Sequence, residues 1–417
     1  MPDTLHVFTS AAVNYLPKVR TLCESIRRHH PEAVIHLALA DERPSWLTTE
    51  GEPFDDILEI SQLDIPNWRP WTFFHNIVEL STAIKPFALK HLLRLPGCGK
   101  VLYFDPDMVL FSRVDDILAT LETANVALTP HQTKPEKTLQ LVLDNEVTSL
   151  RMGVFNLGFI GVRPTDEGKA FAEWWADRTY HFCRAEVYNG LFTDQKWINF
   201  APIFFEGVAI LKSSRHNVAT WNLSTRVMVG DRANGFLVDG EPLGFYHFTG
   251  FDSGAHKIMA FKNAAGNNSV LDLIAWYEKE TAKGRNDPVS RWQWAFERFS
   301  DGTKIEAHHR WLYREYKDLQ AAFPDPYEVS ADKLTFADWC RTEGRIRFPH
   351  FFSKDGGPAK YSPAPAHSSI PPRMALRLFL MMLSPANGRA LRGRVARMLR
   401  REGVRGVFRR LRRVGPA

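Results

Sequence analysis

The stretch Val101-Leu102-Tyr103-Phe104-Asp105-Pro106-Asp107-Met108-Val109-Leu110-Phe111 decides the fold. An unbroken apolar and aromatic run reads as a buried strand, and two carboxylates leave its end with Pro106 fixing the bend between them. Open α/β sheets bind ligands beyond the carboxyl ends of their strands, so Asp105 and Asp107 stand where such a sheet does its chemistry. Two hard oxygen donors this close suit Mg²⁺ or Mn²⁺, leaving other positions on the ion for water and substrate phosphate. The alternative is a turn whose aspartates cap the next segment.

Upstream, Leu5–Thr9 and Val34–Ala40 read as strands around a helix over Leu16–Ile26, whose apolar Leu16, Val19, Leu22, Cys23 and Ile26 recur at three and four. This alternation predicts a doubly wound α/β sheet, with Thr9, Ser10 and Asp41 at two further strand ends. A helix is expected over Ser81–Leu93, closed by Pro96-Gly97-Cys98-Gly99 before the Asp105 strand. Downstream, Phe155–Val162 reads as a strand and Gly168–Tyr180 as a helix. From Val270 to Tyr316 the pattern is helical and rich in aromatics, among them Trp276, Tyr277, Trp292, Trp294, Trp311 and Tyr313. A packed aromatic core explains them better than a platform for a sugar, because aromatics contribute mostly through burial.

Composition bounds the rest. A chain of 417 residues, 44% hydrophobic and 24% charged, is a folded soluble protein of two or three domains and not a disordered, collagenous or membrane-spanning one. The net charge of +6 suggests a nucleic-acid binder until its distribution is read. Residues 373–417 carry thirteen arginines, no lysine and one acid, Glu402, a tail of +12 beside a body of −6. Within the tail, Leu391, Val395, Met398, Leu399, Val404, Val407, Phe408 and Leu411 recur at helical spacing with arginines between them, the pattern of an interfacial helix on anionic lipid. A disordered arginine-rich end is the alternative. The run Met374–Leu383 is about half of what a bilayer span needs, and nucleic acid would give it nothing to bury against, so no nucleic acid is expected. Cys23, Cys98, Cys183 and Cys340 form neither a zinc pattern nor a disulfide framework. The opening residues lack a basic n-region and an apolar h-region, and the expectation is a cytoplasmic protein held peripherally at the inner face of the membrane.

Several elements together resemble one family. Tyr103-Phe104-Asp105-Pro106-Asp107 is similar to the metal-binding element of GT-A glycosyltransferases, in particular the retaining family of glycogenin and bacterial lipopolysaccharide galactosyltransferases. Phe8-Thr9-Ser10 with Asn14-Tyr15 resembles that family's nucleotide-binding opening, and Lys85 falls where the family keeps a basic residue near the donor. Phe155-Asn156-Leu157-Gly158-Phe159 resembles its F-N-x-G strand, Asp194-Gln195-Lys196-Trp197-Ile198-Asn199 its D-Q-x-x-x-N element, and Tyr246-His247-Phe248-Thr249-Gly250 its late H-x-x-G element. The resemblance covers residues 4–260. It implies a GT-A fold, Rossmann-like with a mixed central sheet flanked by helices, here with a helical C-terminal addition and a basic amphipathic tail.

The resemblance also implies roles. Asp105, Asp107 and His247 would hold Mn²⁺ or Mg²⁺. Thr9, Ser10, Asn14, Tyr15, Asp41, Lys85, Asp105, Asn156, Gly158, Gly250 and Lys257 would contact the donor, with Asp194 gripping sugar hydroxyls and Gln195 near the anomeric carbon. Read alone, several of these have plainer explanations: a structural His247, an Asx turn at Asn156, an N-cap at Asp194, a solvated Lys257. The family's late basic residue follows its glycine by three, whereas Lys257 follows Gly250 by seven. The expected organisation is a transferase domain over 1–265, a helical subdomain over 266–350, a Pro/Gly/Ser linker over 351–372 and a membrane-associating tail over 373–417. The expected function is metal-dependent transfer from a nucleoside-diphosphate sugar to a hydroxyl of a glycan or lipid-linked acceptor, with retention, in surface polysaccharide or lipopolysaccharide assembly. A sugar-nucleotide pyrophosphorylase is one alternative, though Phe8-Thr9-Ser10-Ala11-Ala12-Val13 is no Gly-rich loop. A membrane-bound adaptor with a decayed site is the other.

Overall fold

A computed structural model of the chain describes residues 3–352 apart from 265 and 286. Met1–Arg347 clusters as one compact unit, and Phe348 opens a second whose described residues include the 3-10 turn Pro349–Phe351. The tail expected over 373–417, and the linker expected before it from residue 353 on, lie outside the described residues.

The strands are β1 (Thr4–Ala11), β2 (Val34–Leu39), β3 (Asp56–Glu59), β4 (Cys98–Phe104), β5 (Met108–Leu110), β6 (Val126–Pro130), β7 (Phe155–Val162), β8 (Val208–Ile210), β9 (Met228–Asp231), β10 (Gly235–Val238), β11 (Glu241–Pro242) and β12 (Phe245–His247). Seven of them form the central sheet in the order β3-β2-β1-β4-β7-β6-β8. Its first four are parallel, and β7 runs antiparallel to both β4 and β6, so the sheet is mixed as the resemblance implies. β1, β2 and β7 are buried along almost their whole length, which explains why they read as continuous apolar runs without alternation.

Helices cover the sheet. The Leu16–His29 helix buries the predicted stripe Leu16, Val19, Leu22, Cys23 and Ile26 against it. The helix expected over Ser81–Leu93 is two helices, Ile77–Ala83 and Lys85–Leu92. Pro86 lacks the N–H that would bond back into the first helix, yet it is tolerated in the first turn of the second.

Most of the aromatic segment packs inside, whereas Trp292 is exposed. Phe73 meets Phe299, Tyr313, Tyr327 and Phe336 at centroid separations of 4.9 to 6.0 Å. Trp294 donates its indole N–H to the Ala40 carbonyl at 2.8 Å, closing this layer over the end of β2.

Candidate active site

β5 and β12 make a separate antiparallel ribbon whose register sets His247 opposite Met108. That register, sealed by the Phe248 N–H on the Asp107 carbonyl at 2.9 Å, brings His247 beside the Asp105–Asp107 turn across 140 residues of chain. One donor atom each from Asp105, Asp107 and His247 lies within 4.8 Å of the others. His247 Nε2 stands 3.1 Å from Asp107 Oδ1 and 3.8 Å from Asp105 Oδ2.

The other face of the imidazole fixes its tautomer. Asn156 Oδ1 accepts from Asn217 Nδ2 at 2.9 Å and from the Gly158 N–H at 3.2 Å, so the atom facing His247 Nδ1 at 3.2 Å is an oxygen. Nδ1 therefore carries the proton, and Nε2 turns toward the carboxylates. Gly158 leaves room for this: a Cβ there would come within 2.6 Å of the His247 ring and 2.3 Å of the Met108 methyl. Burial opposes charge on His247, but Asp107 and Asp105 raise its pKa above the usual histidine range. Burial likewise opposes the Asp107 carboxylate, and His247 brings it below its ordinary value. Two carboxylate oxygens and an oriented imidazole form a donor set that fits a divalent metal ion.

Beside this triad lies a second constellation. Lys85, 3% exposed, sets its ammonium 2.9 Å from Asp105 Oδ1, 3.4 Å from Asp194 Oδ2 and 3.2 Å from the Leu157 carbonyl. Although burial disfavours its charge, the two carboxylates hold its pKa well above the usual lysine value. Burial raises the Asp194 pKa, against the pull of Lys85. Asp194 is not an N-cap: the 3-10 helix Lys196–Phe200 starts from Gln195 with no side-chain cap. Thr193, just before it, sits at φ +45°, a strained conformation for a β-branched residue. Its N–H bonds the Arg184 carbonyl and its hydroxyl bonds Asp194 Oδ1 at 3.1 Å, which holds the turn in place.

The remaining candidates divide. Gln195 accepts from the Leu157 N–H at 3.0 Å and donates to the Met152 carbonyl at 3.1 Å, joining the Asn156 cluster. Ser10 reaches the Tyr103 hydroxyl at 3.1 Å, while the Thr9 hydroxyl is buried without a partner. Asp41 spends its carboxylate on the N–H groups of Val13, Glu42 and Ala295, and burial pushes its pKa up to about 6. Asn14 and Tyr15 line a cavity of about 240 Å³ with Lys18, Phe251 and Asp252, and the Tyr15 hydroxyl bonds Asp252 at 2.8 Å. Gly250, at φ +69°, directly precedes Phe251 and Asp252 of that cavity without lining it. Lys257 is not brought into the cluster: its exposed ammonium pairs with Glu278.

Three participants escaped the sequence reading. Tyr103 donates to Asp105 Oδ1 at 2.5 Å and lies under Lys85 at 4.5 Å. Its position two residues before Asp105, on the same strand face, was the signal available. Asn217, fully buried, has no such signal. Nor does Lys18, whose ammonium reaches Asp252 across 234 residues.

No family model matches the chain. The uncharacterized protein YfnD of Bacillus subtilis (strain 168) is 25% identical over 254 residues, 60% of this chain and 78% of its own. YfnF of the same strain is 26% identical over 181 residues, 42% of this chain and 57% of its own. Among solved structures, the galactosyltransferase LgtC in complex with donor and acceptor sugar analogs matches 62% of this chain and 96% of its own at 17% identity and a TM-score of 0.38. The glycosyltransferase GlyE of Streptococcus pneumoniae TIGR4 matches 67% and 64% at 15% identity and a TM-score of 0.38. Likeness at this level assigns none of their activities to this chain.

Proposed function

We propose that the chain is a metal-dependent glycosyltransferase that takes a sugar from a nucleoside diphosphate to a hydroxyl of a glycan or lipid-linked acceptor. The observation that supports this reading most is the junction of Asp105, Asp107 and His247 with the Lys85–Asp194 pair at the carboxyl edge of β4. A divalent ion held there would neutralise the diphosphate leaving group. Lys85 is the cation that couples the two halves, since it touches a carboxylate of the metal triad and the carboxylate assigned to the sugar. Asp194 Oδ2 is buried and held only by its 3.4 Å ion pair with Lys85, so it keeps acceptor capacity for a sugar hydroxyl brought into the cluster. Asn14, Tyr15 and the cavity they line are assigned to the nucleotide, and Asp41 to holding the aromatic layer over it. Retention is the outcome that the resemblance implies, by displacement on one face of the sugar. The sequence's basic tail supports action at an anionic membrane, with surface polysaccharide or lipopolysaccharide assembly as the setting.

The test is turnover. With Mn²⁺ and a panel of nucleotide sugars, one donor should release its nucleoside diphosphate slowly, and Asp107→Ala should lower that rate about 10³-fold. Release that is absent for every donor, or equal in the variant, overturns the reading.

A further inference from the structure

The segment from Leu139 to Met152 runs through a short α-turn, a π-helical turn over Val142–Glu146 and the helix Val147–Met152. It is built inside out. Asn145 and Ser149 are buried, with Asn145 bonded to Glu136 at 2.6 Å and Ser149 to the Asn145 carbonyl at 2.7 Å. Leu139, Leu143, Val147 and Leu150 point the other way, and Leu139 is 76% exposed and Leu150 66%. A surface helix ordinarily buries its apolar stripe, and a contiguous exposed stripe marks a surface that meets something apolar. The segment also adjoins the site, because Gln195 bonds the Met152 carbonyl and Lys196 the Arg151 carbonyl.

What meets it is indicated by charge. Beside the first turn lies a cleft of about 430 Å³ whose lining includes Lys134, Lys137, Arg226, Asn263 and Asn267 and no carboxylate. Arg226, 4% exposed, donates through Nη1 to the Ser214 and His216 carbonyls at 2.8 and 2.7 Å and leaves its Nε without a partner, while exposed Lys134 pairs with Asp239 at 3.0 Å. Exposed Lys137 and Arg151 stand near the two ends of the apolar face. Cations beside an apolar face suit an anionic amphiphile. They disfavour the chain's own +12 tail, and a second copy would bring the same cations with it.

We propose that the apolar face of Leu139–Leu150 and the basic cleft beside it dock on an anionic lipid bilayer, the face lying in the interface and the cleft meeting headgroup phosphates. The proposal rests on the transferase reading only for its purpose, which is to set the mouth of the site at the surface that carries the acceptor.

The test uses the full chain and vesicles of phosphatidylcholine with or without phosphatidylglycerol. A variant with Leu139→Ser, Leu143→Ser and Leu150→Ser should partition at least about tenfold more weakly onto the anionic vesicles, while releasing nucleoside diphosphate in solution at the unchanged rate. In a Cys98→Ser background, Leu143→Cys carrying a polarity-sensitive dye should shift to the blue on those vesicles, the other cysteines being buried. Unchanged partitioning or no dye shift overturns the proposal. So does a variant that only changes mass in sedimentation, which makes the face a contact between copies. A chain that docks as described but hydrolyses no donor keeps the docking and overturns the transferase reading.

Discussion

The wall of the candidate metal site and the Leu139–Met152 segment follow opposite rules within one compact unit. The wall places charge inside: buried Lys85 and Asp194 meet half-buried Asp105 in a cluster where each has an opposite charge within 3.4 Å. The segment places hydrocarbon outside and turns Asn145 and Ser149 inward. Neither arrangement maximises stability. Burying ions costs several kcal/mol of desolvation that their pairing only offsets, and exposed leucines forgo burial. The proposed readings give each a use, the first for a charged substrate and the second for an apolar surface.

The comparison breaks first at Lys85. Lys85→Ala should strand the buried Asp194 carboxylate and take a partner from half-buried Asp105, lowering stability by about 3–5 kcal/mol in denaturant titration. A loss below about 1 kcal/mol would show that the cluster is not desolvated as described.

Asp41 sharpens the contrast, because it is a buried carboxylate held by N–H groups and no cation. Its pKa near 6, against an ordinary 3.8, means the folded chain keeps a proton that the unfolded chain releases between those values. Stability should therefore fall as pH rises from about 4 to about 6 and then level off, by roughly 3 kcal/mol from this group. Asp41→Asn should remove that part of the slope, and an unaltered profile in denaturant titrations would contradict the assignment.

The smallest effect belongs to the segment. Leu150→Ser should change folding stability by no more than about 0.5 kcal/mol, since the side chain is exposed and packs on little. A loss of several kcal/mol would mean that the face is covered within the chain.

Much of this was legible in advance, for identifiable reasons. β7 has the bounds Phe155–Val162 that its uninterrupted apolar run announces, and the Asp105–Asp107 turn stands at its strand end. Those features are local. The break before Lys85 went unread because the apolar spacing continues through Pro86, and only the lost N–H marks it. Asn217 and the Lys18–Asp252 pair were invisible because their partners lie 61 and 234 residues away. The segment from Leu139 was not singled out, since helical spacing of leucines reads the same whether its stripe faces a core or water.

The central claim is that Asp105, Asp107 and His247 hold a divalent ion for a diphosphate. Electron paramagnetic resonance of Mn²⁺ titrated into the full chain tests it most directly. One bound ion per chain is expected, held more tightly when a nucleoside diphosphate is added and lost in Asp107→Ala. Free Mn²⁺ throughout, or the same binding by the variant, would contradict the account.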